Sequence, residues 1–109
     1  MFKALIVEDN RFFSEALHSA LQARFPFLAL AKAAVIQEAL AKVDSMQPDI
    51  IFTDVRLPDG NGMDFTRSIR AAGIESVIVV LTSHDIPEYR EQALSVGADH
   101  FMSKGSTSI

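Results

Sequence analysis

Cysteine is absent from the 109 residues. That excludes disulfides and thiolate metal sites and suits a reducing compartment. Long apolar runs are absent too: none exceeds Val77–Leu81 in length, whereas a membrane-spanning helix needs ~20 residues. Basic clusters are also missing. The net charge is −4 with Lys and Arg scattered, so the chain lacks the basic face that displaces counterions from nucleic acid. Met1-Phe2-Lys3 passes straight into a strand-like segment, leaving no room for a signal peptide, and the chain is expected to be cytoplasmic. No repeat, low-complexity tract or linker divides it, so a single domain over residues 1–109 is expected.

What is present is a soluble composition, 49% apolar and 22% charged, in a chain able to bury ~65% of its unfolded surface. Short apolar or β-branched runs recur at Ala4–Val7, Leu28–Ala31, Ile50–Thr53, Val77–Leu81 and Phe101–Ser103. Between them lie residues at helical spacing: Phe13, Leu17 and Leu21; Ile36, Leu40 and Val43; Phe65, Ile69 and Ala72. A weaker fourth helix is expected from Pro87, suited to a first turn, to about Val96 before Gly97. Such alternation implies an α/β fold: a doubly wound, five-stranded parallel sheet of order 2-1-3-4-5, flavodoxin-like. Ligands on these sheets bind at the carboxyl ends of the strands.

The strand ends carry the chemistry. Strand one ends in Glu8-Asp9, strand three in Asp54, strand four in Thr82 and strand five in Lys104. Strands one and three are neighbours in that order, so three carboxylates converge. Their mutual repulsion favours either a retained proton or a cation, and Mg²⁺ suits a few carboxylates with positions left open for phosphate oxygens. Lys104 adds a positive charge and Thr82 a hydroxyl. The set fits phosphoryl transfer onto Asp54, with positioning and charge neutralisation as the catalytic means.

The segments LIVEDN (5–10), IIFTDVRLPDGNG (50–62), VIVVLTS (77–83) and GADHFMSK (97–104), in this order, make the chain resemble the receiver domain of two-component response regulators. The resemblance implies that Asp54 accepts phosphate from the phosphohistidine of a histidine kinase or phosphotransfer protein. It implies Mg²⁺ held by Glu8, Asp9, Asp54 and the backbone carbonyl of Arg56, with Thr82 and Lys104 on the phosphoryl group. It also implies a switch in which Phe101 turns inward as Thr82 moves toward the phosphate, and a homodimer on phosphorylation. The family's usual proline after the lysine is here Gly105, whose backbone freedom should still let the lysine reach the site. KGSTS looks more like receivers joined to helix-turn-helix domains, so any DNA contact is expected through a further C-terminal domain.

Each residue also has a plain reading. Glu8-Asp9-Asn10 can cap the first helix, Asp59-Gly60-Asn61-Gly62 can be turn chemistry, and Phe101 can be a core aromatic. Two other functions share parts of this pattern. Haloacid-dehalogenase-type phosphatases also phosphorylate an aspartate beside Mg²⁺, but they carry a D-x-D pair after the first strand, which this chain lacks. A pseudo-receiver interaction module should lack a pocket residue, and none is missing; a stand-alone receiver remains the other alternative. Ile109 precedes any fifth helix. Ser106, Thr107 and Ser108 are N-cap types with no helix to cap, so a longer natural chain, or a second subunit over an uncovered face, is expected.

Overall fold

The computed structural model describes residues 1–105. In chain order the elements are β1 (Lys3–Val7), α1 (Arg11–Arg24), β2 (Ala29–Ala33), α2 (Ile36–Met46), β3 (Ile50–Asp54), β4 (Arg56–Leu57), β5 (Gly60–Asn61), α3 (Gly62–Ala71), β6 (Val77–Thr82), α4 (Pro87–Ser95) and β7 (His100–Ser103). Five strands form one parallel sheet in the order β2-β1-β3-β6-β7, which is the expected 2-1-3-4-5. The proposed caps Ser106, Thr107 and Ser108 lie outside the described residues, as does Ile109; among the described residues no helix follows β7.

Alternation along the central strands sorts their side chains to two faces. Leu5, Val7, Ile51, Ile78 and Val80 join Ala39 and Val43 of α2, Phe65 and Ile69 of α3, and Ala93 of α4 in one core. Ile6, Val79 and Leu81 pack with Leu17 and Leu21 of α1 on the other. Three details differ from expectation, and one is Ala72, which is the exposed C-cap of α3 and not part of its buried stripe. Strand β2 lies further along than Leu28–Ala31, because pairing with β1 sets Lys3 opposite Ala29 and Val7 opposite Ala33. Leu40 is 44% exposed, and its neighbour Ala39 takes the buried position on α2. One helical position turns the side chain by ~100°, so a stripe read from three residues can be misphased.

The start of α1 follows from its sequence: Asn10 is the N-cap and its side chain accepts from the Phe13 amide at 3.1 Å. Helix α4 has no side-chain cap and starts with Pro87 at a position where its missing N–H costs nothing. Helix α2 has no cap of its own either, since Val35 precedes it. Asp59, from the turn of the β4–β5 hairpin, supplies one across the chain. Its carboxylate accepts from the Ile36 and Gln37 amides at 2.7 and 3.0 Å. These bonds, the Ile36 one foremost, hold the Asp59 carboxyl below its ordinary pKa.

Candidate phosphoacceptor pocket

At the carboxyl ends of β1 and β3, Glu8, Asp9 and Asp54 each offer a carboxylate oxygen within 4.8 Å of the others. Parallel pairing of β1 with β3 sets Val7 opposite Thr53, so both chains leave the sheet side by side. Glu8 is only 5% exposed, Asp54 is half-buried and Asp9 is exposed. Each carboxylate is oriented differently. Glu8 accepts the Asn10 amide at 3.0 Å, and Asp54 accepts the Val55 amide at 2.7 Å. Asn10 caps α1, so Asp9 is not needed for that role.

Lys104 closes the pocket from the end of β7. Its backbone N–H is anchored on the Thr82 carbonyl at 2.8 Å. Its ammonium lies 2.5 Å from Glu8 Oε1 and 3.2 Å from Asp54 Oδ2. Burial raises the Glu8 pKa, and the neighbouring Asp54 charge adds to it; Lys104 and the Asn10 amide pull the other way without cancelling the rise. For Lys104, burial alone would lower the pKa, but the Glu8 and Asp54 carboxylates outweigh it and the net shift is upward. The lysine is thus held protonated between two acids. No buried side-chain polar atom among the described residues lacks a partner.

Thr82 stands at the end of β6, 2% exposed, but its hydroxyl serves its own loop. It accepts the His84 amide at 3.0 Å and donates to the His84 carbonyl at 3.4 Å. Phe101, opposite Val80 in β7, is 8% exposed and belongs to the core beside α4. The Arg90 guanidinium lies over its ring at 4.9 Å, and the same guanidinium reaches Asp85 at 3.3 Å. The ring is therefore already inside while the Thr82 hydroxyl is still engaged with its loop. Arg56 follows Asp54 on the exposed hairpin, and its side chain donates to the Tyr89 hydroxyl of α4 at 3.3 Å. His84 is exposed at the rim, with Nδ1 3.2 Å from Ser83 Oγ.

Three supporting residues escaped the sequence reading. Gly62 opens α3 against the loop that follows Asp54, its amide donating to the Val55 carbonyl at 2.7 Å. Phe13 faces Lys104, with the ammonium 4.7 Å from its ring centroid. Asp59, read as turn chemistry, is an N-cap for α2. In the sequence, Gly62 reads as one more turn glycine and Phe13 as the first residue of a core stripe. Only the fold shows what lies across from each.

A doubly wound parallel sheet with clustered carboxylates and a lysine at its carboxyl edge defines an α/β domain with a charged site where such sheets bind their ligands. The comparisons narrow this. The model of the response regulator receiver domain matches residues 4–108, and the chain belongs to that family. It is 31% identical over 104 residues to the DNA-binding transcriptional activator DevR/DosR of Mycobacterium tuberculosis, covering 95% of this chain and 48% of the relative. It is 34% identical over 104 residues to the KDP operon transcriptional regulatory protein KdpE of Escherichia coli, covering 95% and 45%. The chain spans about half the length of these curated relatives. Among solved structures, the chemotaxis protein CheY4 of Vibrio cholerae superposes with a TM-score of 0.88 at 28% identity, over 98% of this chain and 89% of that one. A receiver domain from Colwellia psychrerythraea shares the fold, with a TM-score of 0.92 at 20% identity over 96% of this chain and 87% of that one. Among the described residues, no helix is long and apolar enough to cross a membrane.

Proposed function

We propose that this receiver, the single domain of residues 1–109, takes a phosphoryl group on Asp54 from the phosphohistidine of a histidine kinase or phosphotransfer protein. The observation that carries this reading is the Lys104 ammonium bridging Glu8 and Asp54 inside a cluster of three carboxylates. An Asp54 carboxylate oxygen attacks phosphorus, the bond from phosphorus to the donor's imidazole nitrogen breaks, and the imidazole leaves with the electron pair. Lys104 and Thr82 hold the phosphoryl oxygens; Thr82 does so once its hydroxyl leaves the His84 backbone.

The oxygen-only donor set fits Mg²⁺: Glu8, Asp9 and Asp54 would hold it, joined by the Arg56 carbonyl that the family resemblance implies. When bound, the ion neutralises the charge that gathers on the phosphoryl oxygens. The chain acts as a cytoplasmic signalling switch, catalysing only its own phosphorylation and dephosphorylation. Movement of Thr82 is read out at the surface around α4, the Phe101 ring being already inside, and phosphorylation favours a homodimer. The names of the two relatives, each about twice this length, one a DNA-binding transcriptional activator and the other a transcriptional regulatory protein, support an output as a DNA-binding transcriptional regulator whose DNA contacts lie in another domain.

Incubation with acetyl phosphate and Mg²⁺ should add one phosphoryl mass to the peptide carrying Asp54. Asp54→Asn should abolish it. Undiminished labelling of the Asn variant would overturn the assignment.

A further inference from the structure

We propose that Phe13 is a positioning residue for the Lys104 ammonium, acting on phosphoryl transfer through that lysine. The inference rests on the phosphoacceptor reading of Asp54. Phe13 belongs to the stripe that continues through Leu17 and Leu21, yet those two are 2% and 8% exposed whereas Phe13 remains half-buried at the pocket end. Its backbone is fixed by the Asn10 cap, so the ring's root cannot drift. Its neighbour Phe12 is 86% exposed and turned to solvent. The Phe13 ring instead meets the ammonium, 4.7 Å from the centroid, within the ~6 Å at which a ring's negative face attracts a cation.

That contact matters because Lys104 has two competing anchors. Its ammonium sits closer to Glu8, at 2.5 Å, than to Asp54, at 3.2 Å. A lysine is a compact charge on a flexible stem, free to swing between acids unless something restrains it. The ring adds a third contact that carries no charge of its own. It restrains the ammonium without neutralising it, which leaves the charge available to oxygens arriving on Asp54.

The test compares labelling rates with saturating acetyl phosphate. Phe13→Leu keeps an apolar side chain but removes the ring, and should slow labelling roughly three- to tenfold. Half-saturation by Mg²⁺ should not change, because every carboxylate remains. Phe13→Tyr should restore the rate. In a Lys104→Ala background, Phe13→Leu should have no further effect, whereas a purely structural ring would still cost activity there. If Leu loosens the fold, replacing Phe13 by trifluorophenylalanine keeps the shape while withdrawing the π density, and the same slowing is expected. A labelled wild type matched by Phe13→Leu, or a loss that persists without Lys104, overturns the role of Phe13 alone. A wild-type chain that takes no label removes the phosphoacceptor reading, and the role of Phe13 with it.

Discussion

A Cβ at residue 62 would lie 1.9 Å from the backbone carbonyl oxygen of Asp54 and 3.0 Å from Thr53 Oγ1. No rotamer relieves a clash with backbone, so Gly62→Ala must push α3 away from β3 or displace the Asp54 peptide itself. Overpacking of this kind costs about 1–3 kcal/mol. Urea denaturation should show that loss, and acetyl phosphate labelling of Asp54 should fall with it. Asp59 gives a different residue-scale test. Its carboxyl is held below the ordinary value of 3.8 by the Ile36 and Gln37 amides. A depressed folded-state pKa means that the contribution is fully present above the unfolded value and is lost as pH falls through the folded one. Wild type should therefore lose stability on acidification through the carboxylate range. Asp59→Asn should be less stable at neutral pH and show a shallower acid limb. Melting temperature against pH distinguishes the two.

Helix α4 buries the fewest residues of the described helices. Ala93 is its one buried residue, and polar links tether the rest: Arg56 to Tyr89, and Arg90 to Asp85 and over Phe101. Elements with few buried contacts open at low free-energy cost. The loop before α4 is in turn organised by the Thr82 hydroxyl on the His84 backbone. Thr82→Ala should still accept phosphate, while α4 should lose the change in amide exchange that a phosphate mimic produces in wild type. An equal response in both proteins would disconnect Thr82 from α4. Arg70 is the opposite case, a guanidinium that ties three elements together at the far end of the sheet. It donates to the carbonyls of Gly97, Ile74 and Ser76 and to Asp99, each at 2.8 Å. Arg70→Ala leaves those acceptors without their donor and should cost about 2–4 kcal/mol, given ~1.5–3 for one charged hydrogen bond. Phosphoryl uptake at the other end should persist in whatever fraction stays folded.

At the scale of the molecule the two faces of the sheet are covered unequally. Helices α2, α3 and α4 pack one side, and α1 alone, among the described helices, packs the other. With no fifth helix, exposed apolar strands are expected on that second face. On that face Val79 and Leu81 are 5% and 4% exposed, whereas Val77 and Met102 are 38% and 43% exposed. The open region lies toward the amino ends of β1 and β3. There Phe2, Phe25, Phe27, Ile50 and Phe52 help line a groove of about 890 Å³. Phe27 is 91% exposed and Phe2 57%, an unusual concentration of aromatic surface. The 109-residue chain should accordingly enhance the fluorescence of an apolar dye at neutral pH, and Phe2→Ser with Phe27→Ser should reduce it. Dye binding unchanged by the pair would locate the apolar surface elsewhere.

Read as a linear chain, these residues already determine much. Short continuous apolar runs and helical stripes specify strands and helices, and alternation of the two specifies a parallel sheet, because such strands need covered crossovers. Polar residues at the strand ends then specify the pocket: Glu8, Asp54 and Lys104 come together as expected. What the chain could not disclose depends on residues far apart in sequence and adjacent in space. Asp59 caps a helix that begins 23 residues earlier. Gly62 is required by a carbonyl across the loop, and Phe13 meets a lysine from the last strand. The Thr82 hydroxyl faces its own loop, a matter of one rotamer. Local pattern encodes which face of an element is apolar; packing alone decides which atoms meet across it.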